Sequence, residues 1–118
     1  MNIEELKRLA EAATPGPWTS HPKGYYGAVC RADDQYDLVA VTHGQRRNNV
    51  LANEAYIAAA NPAAILELIR QRDELLVALK DARELVNDWG AYASAYMREK
   101  HDLISDLERL DTAISKVE

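Results

Sequence analysis

A single cysteine, Cys30, stands in the 118 residues. It has no partner within the chain for a disulfide, and a thiolate-rich metal site is excluded. Basic runs are missing as well. Fourteen Lys and Arg are mixed with nineteen Asp and Glu, for a net charge of −5, and no basic block stands out beyond Arg46-Arg47. That balance argues against broad electrostatic binding of DNA or RNA. It leaves room for one small phosphorylated ligand held by a few donors. No apolar run approaches the roughly 20 residues of a membrane span, and no signal-peptide pattern is present. A cytosolic protein is expected. The three histidines, His21, His43 and His101, form no HxH or HxxxH pair, so no metal or other cofactor is expected. The GxxxxGK(S/T) and GxGxxG phosphate-binding patterns are also missing. Proline stops at Pro62, and after Gly44 the only glycine is Gly90.

The segment "NIEELKRLAEAA" has Ile3, Leu6, Leu9 and Ala10 at helical spacing. Asn2 with Glu5 three residues on makes a capping-box pattern. Pro15 and Gly16 stop this helix near Thr14. In "ATPGPW", Pro17 keeps the exit extended and delivers Trp18 as a packing residue. Tyr25, Tyr26, Val29 and Cys30 read as one strand. Tyr36, Leu38, Val39 and Val41 read as a second, joined by "RADDQ" into an antiparallel hairpin. A hairpin alone is marginal and needs helix or a second subunit against it.

Helical spacing returns with Val50, Leu51, Ala55, Ile57, Ala58 and Ala59, with Asn48 or Asn49 as cap. Asn61-Pro62 is a helix restart, asparagine as cap and proline at the first helical position. Beyond it runs the strongest periodic signal. Leu68, Arg72, Leu75, Leu79, Ala82, Val86, Trp89, Ala93, Tyr96, Lys100, Leu103, Leu107, Leu110, Ile114 and Val117 follow one another in alternating steps of four and three. That is a heptad seam. A single helix from Pro62 to Val117 satisfies it, and so does a helical hairpin bent at "NDWG". The register running on through Gly90 favours the single helix. The expected fold is α+β. Residues 1–61 form a small helix-plus-hairpin unit, and residues 62–118 form a helical oligomerisation region. Arg72 and Lys100 in the seam set its alignment.

The pair "LAEAATPGPW" (9–18) and "NEAYIAAANPAAILELI" (53–69) resembles the ead-type early accessory proteins of tailed phages and prophages. Tyr56 stands where that family's pattern has phenylalanine. The resemblance covers residues 9–69. It implies a phage protein acting in the host cytoplasm and no enzymatic activity. A looser likeness of layout and size links the chain to phage anti-defence proteins that sequester cyclic nucleotide signals as oligomers.

Candidate chemistry is sparse. "THGQRRNN" (42–49) is the best anion site. Arg46, Arg47, Asn48 and Asn49 precede or open a helix, where backbone donors and guanidinium groups suit phosphate. In "WGAYASAY", Tyr92 and Tyr96 with Arg98 are candidates for stacking a base and holding its phosphate. Trp18, Tyr56, Asn61, Pro62 and Trp89 read as structural. Cys30 reads as a buried thiol, and Glu54 is the one carboxylate beside a packed face. The expected function is binding of a host protein, or action as a homo-oligomeric scaffold. Sequestration of a cyclic nucleotide is the alternative, and a small hydrolase is a remote one.

Overall fold

The computed structural model describes residues 2–20, 27–43, 46–92, 95–96, 99 and 102–118. Among them lie helix α1 (Ile3–Ala12), strands β1 (Trp18–Ser20), β2 (Ala28–Arg31) and β3 (Leu38–Val41), and helices α2 (Arg47–Ala59), α3 (Pro62–Tyr92) and α4 (Leu103–Val117). The fold is α+β. It divides into two compact units, residues 1–69 and 70–118, so the first two turns of α3 belong with the sheet.

In the first unit Asn2 caps α1 by accepting from the N–H groups of Glu4 at 3.0 Å and Glu5 at 3.2 Å. The reciprocal half of a capping box is replaced. The Glu5 carboxylate turns instead to Arg8, which donates to it at 2.6 and 2.9 Å. This bond holds the Glu5 carboxyl below its ordinary acidity range. The helix stops at Ala12, ahead of Thr14-Pro15, and the Gly16–Pro17 peptide is cis. Trp18 is half-buried, and its indole N–H donates to the Thr14 carbonyl at 3.0 Å, closing the corner on itself.

The sheet has three antiparallel strands in the order β1-β2-β3, where the sequence pattern shows only two. The three residues of β1 are too few to display an alternation. Trp18, Thr19 and Ser20 pair with Arg31, Cys30 and Val29. The described part of the first predicted strand is β2; Tyr25 and Tyr26 lie outside the described residues. Tyr36, predicted in a strand, sits in the turn before β3, where its N–H bonds the Asp34 carboxylate at 3.0 Å. Ala28, Val29 and Cys30 are all buried, as befits the central strand, and α2 packs against β1 and β2. The buried side of α2 follows Glu54 and Ala58, while Ala55 and Ala59 face solvent. Tyr56 is 74% exposed, so it takes no part in the core of this chain.

Asn61 joins the helices. Its side-chain amide donates to the Ala58 carbonyl at 3.0 Å, and its Oδ1 accepts from the Ala64 N–H at 3.2 Å. One buried residue thus closes α2 and caps α3, with Pro62 at the first helical position. Gly16 lies against it. A Cβ on Gly16 would stand 3.0 Å from Asn61 Cγ and 3.1 Å from Ala63 Cβ, with Asn61 Oδ1 closer still. The corner "ATPG" and the restart "ANPA" are therefore in direct contact.

The single long helix is not what forms. α3 ends at Tyr92, and α4 begins after Asp102, which has φ 44° and accepts from the Ser105 N–H at 3.3 Å. The two run antiparallel. Gly90 faces Leu103, Arg83 faces Asp111, and Arg72 donates to the Val117 carbonyl. Lys80 also pairs with Glu118. The "NDWG" corner is equally displaced. Asn87, Asp88 and Gly90 all lie inside α3, because Gly90 is a contact point. A Cβ there would come within 3.0 Å of Leu103 Cγ and nearer to its methyls. Lys100, the second polar residue of the predicted seam, is outside the described residues. Arg72 does reach across the hairpin, and Arg83 does so too.

Gly90→Ala tests this reading by its sign. At an ordinary helical site the change stabilises by about 1 kcal/mol. Against Leu103 it should destabilise by about 1–3 kcal/mol, as overpacking does, in urea unfolding of the full chain. A second expectation concerns pH. The Arg83 hydrogen bond holds the Asp111 carboxyl below its usual value. Stability from this pair is present at neutral pH and is lost as pH falls through the lowered folded-state value. Asp111→Asn should therefore flatten the acid limb of the stability curve, and added salt should do the same to the wild type.

Candidate functional site

The "THGQRRNN" segment converges on the start of α2. The helix begins earlier than the asparagines suggest. The Arg46 carbonyl already accepts from the N–H groups of Asn49 at 3.0 Å and Val50 at 3.2 Å. Arg46 is thus the N-cap residue, exposed and extended at φ −127°, and its side chain makes no capping hydrogen bond. Arg47, Asn48 and Asn49 form the first turn, so neither asparagine is the cap. Gly44 and Gln45 lie outside the described residues. His43 is exposed, and His21 and His101 are also outside them. Among the described residues no group of three or more His, Cys, Asp and Glu is placed to hold a metal ion.

The two buried reactive side chains of the first unit are engaged by backbone. Glu54 on α2 accepts from the Gly27 N–H at the entry to β2. Around it, Thr42 donates through its N–H to the Gly27 carbonyl at 2.7 Å and through its hydroxyl to the Val50 carbonyl at 3.3 Å. Gly27 has φ +89°, a region that favours glycine. These bonds tie α2 to both strands that flank it in sequence. Cys30 is buried, and its thiol points to the Thr19 carbonyl at 3.7 Å.

The aromatic candidates occupy a different kind of surface. Seven residues of α3 face α4 or the interior of the second unit's hairpin end. They are Ile69, Arg72, Leu76, Leu79, Arg83, Val86 and Gly90, again in steps of three and four. This row shares Arg72, Leu79 and Val86 with the predicted seam and lies one residue off it elsewhere. On α4 the seam is as predicted, with Leu103, Leu107 and Leu110 half-buried and Ile114 buried. The remaining predicted positions of α3 are therefore turned outward. Leu75, Ala78, Ala82, Leu85, Trp89 and Tyr92 make a second row of steps of three and four, with no charged residue in it. Leu75 is 71% exposed, Leu85 59%, Trp89 76% and Tyr92 89%. Trp89, read as a packing residue, packs on nothing in this chain. Tyr96, 68% exposed, lies in a described helical stretch beyond α3, and Arg98 is outside the described residues.

This outward row is the most distinctive surface of the described residues. At 1.5 Å per residue it is about 25 Å long. Its signal was present in the spacing, merged with that of the inward row. Beside it a shallow groove is lined by Val86, Asp106, Arg109 and Leu110. No helix among the described residues is long and apolar enough to cross a membrane.

Glu54→Ala removes a buried acceptor and should cost the first unit about 1–3 kcal/mol. Faster exchange of the Gly27 amide proton would report the same loss by NMR. Unchanged stability and exchange would instead mean that the carboxylate is free for other work. No protein-family model, no curated protein and no solved structure matches the chain.

Proposed function

We propose that the chain is a non-enzymatic accessory protein that works by binding, of the kind its resemblance to the early proteins of tailed phages implies, acting in the host cytoplasm. The observation that carries this reading is the exposed apolar row of α3. Contiguous apolar surface of this kind on a small chain marks an interaction site. Tyr and Trp are the residues that most often anchor such sites. The buried carboxylate and thiol support the same reading, because both are spent on backbone groups instead of being presented in a cleft. An arrangement for acid–base or nucleophilic work needs such groups converging on a pocket.

A second reading, sequestration of a cyclic nucleotide, is favoured by one feature. The N-terminus of α2 carries Arg46 and Arg47 and has no side-chain cap, so its first-turn N–H groups face an anion-compatible opening.

Pull-down from bacterial host lysate with wild-type protein and Trp89→Asp decides between them. Capture of a host protein by the wild type, lost in Trp89→Asp with helicity intact by circular dichroism, is expected. Capture that survives the substitution counts against the α3 face. A thermal shift with cyclic di- or trinucleotides that Arg46→Ala abolishes would favour the second reading.

A further inference from the structure

The row Leu75, Ala78, Ala82, Leu85, Trp89 and Tyr92 is flanked asymmetrically, and the asymmetry names its occupant. At 100° per residue, one flank of the row is Glu74, Asp81 and Asp88, an acidic line at heptad spacing. Glu74 is engaged by Arg70 of its own helix, so Asp81 and Asp88 dominate this edge. The other flank is Leu79 and Val86, which border the groove to α4. Across that groove lies Arg109, paired with Asp106 and yet 76% exposed in its side chain. Lys116 follows one heptad later on the same exposed face of α4. The hairpin therefore has one broad face, with an acidic edge, an apolar centre and a basic edge.

We infer that this face binds a second copy of the chain, with the two α3 helices parallel about a two-fold axis that runs along them. The inference rests on the proposed role of the α3 row as a binding surface and specifies what covers it. Rotation about such an axis lays the apolar row on its own equivalent. It also carries α4 of the second copy over the acidic edge of the first. The levels agree. The Gly90–Leu103 and Arg83–Asp111 contacts put Arg109 about level with Glu84 and Lys116 about level with Val77. Arg109 of the second copy then falls between Asp81 and Asp88, and its Lys116 falls between Glu74 and Asp81. The antiparallel two-fold does the reverse, bringing acidic edge to acidic edge and basic to basic. Like charges so placed oppose pairing.

The size is adequate. Buried aromatic side chains cover about 150–250 Å² each, so Trp89 and Tyr92 supply about half of the roughly 800 Å² per partner of a standard interface. Leu75, Leu85 and the edge of α4 contribute the remainder. Ala78 and Ala82, the small residues of the row, allow the two helices to approach closely at its centre.

Sedimentation at micromolar concentration should give twice the chain mass for the wild type and the chain mass for Trp89→Asp, with unchanged helicity. A wild-type monomer overturns the inference. Ala78→Cys and Tyr92→Cys, made separately, stand about 21 Å apart along α3. Each should form a disulfide-linked dimer on mild oxidation, whereas the wild type, with only buried Cys30, should not. Cross-linking at one position or neither overturns the parallel register. The double change Asp81→Asn with Asp88→Asn should weaken the dimer about three- to tenfold, since exposed ion pairs contribute about 0.2–1 kcal/mol each. A tighter dimer instead is the signature of the antiparallel arrangement and also overturns it. A monomeric wild type whose lysate capture still depends on Trp89 sinks this inference and leaves the proposed function standing. A dimer of the stated geometry with no capture does the opposite.

Discussion

The Asn61 side chain holds the first unit together. Two helix ends meet at residues 59–62, and each leaves backbone groups without partners inside its own helix. Most joints use separate residues for the two ends. Here a single amide serves both, donating to the Ala58 carbonyl and accepting from the Ala64 N–H. Asparagine suits this place because it carries donor and acceptor on one short, rigid group. The same side chain is what Gly16 rests on, and the contact is too close for any Cβ at that position. The separation in sequence between "ATPG" and "ANPA" is thus bridged by one contact. The resemblance to phage early proteins picks out these two stretches together. The physical reason for them to travel together is that neither can change shape without the other.

The second unit is aligned by a different device. Its inward row contains two arginines where a plain coiled-coil seam has leucine. Arg83 reaches Asp111, and Arg72 reaches the Val117 carbonyl at the far end of α4. Each pair is largely exposed and contributes little to stability by itself. Their effect is on register. Sliding α4 by one turn separates Arg83 from Asp111 and drives Leu103 off Gly90, where alone the two helices come close enough to exclude a Cβ. Apolar seams tolerate such slips, because leucine meets leucine in either register. A glycine contact and a cross-helix ion pair do not.

Much of this was legible in the residues. The Asn2 cap, the Asn61-Pro62 restart, the strands around Val29 and Leu38 and the seam of α4 all follow from local chemistry, and local chemistry decided them. The failures share a cause. β1 is three residues long and exists only because β2 is there to pair with it. The start of α2 was placed at Asn48 or Asn49 by cap preference, but the backbone bonds of Arg46 extend the helix past that preference. Gly90 and Asp88 read as breakers, and glycine inside a helix looks like a break until the helix it must accommodate is known. Glu54 was visible as a carboxylate on a packed side, while its partner, the Gly27 N–H, lies 27 residues away and leaves no mark in the pattern. Of the candidate ligand residues, Arg46 to Asn49 are contiguous at one helix start, and Tyr92 and Trp89 share one exposed row.

The heptad signal of α3 carries the deeper lesson. Positions 68, 75, 82 and 89 and positions 69, 76, 83 and 90 differ by one residue, and both sets combine with 72, 79 and 86 into steps of three and four. A helix with a single neighbour needs one such row, and its other faces turn polar. α4 obeys this rule, with Leu103, Leu107, Leu110 and Ile114 inward and mostly charged or hydroxyl groups elsewhere. α3 does not. It carries an inward row and, about 100° around its axis, a second apolar row that its own chain leaves in water. Helices with two apolar rows at that angle are those with two neighbours, as in four-helix bundles. The chain supplies only one neighbour. With no phenylalanine anywhere, its large aromatic rings are all Trp and Tyr, which tolerate water at one end while presenting an apolar body to a partner. The excess apolar row, its aromatic composition and its oppositely charged borders are three independent features of one helix. A second helix pair covering that row accounts for all three.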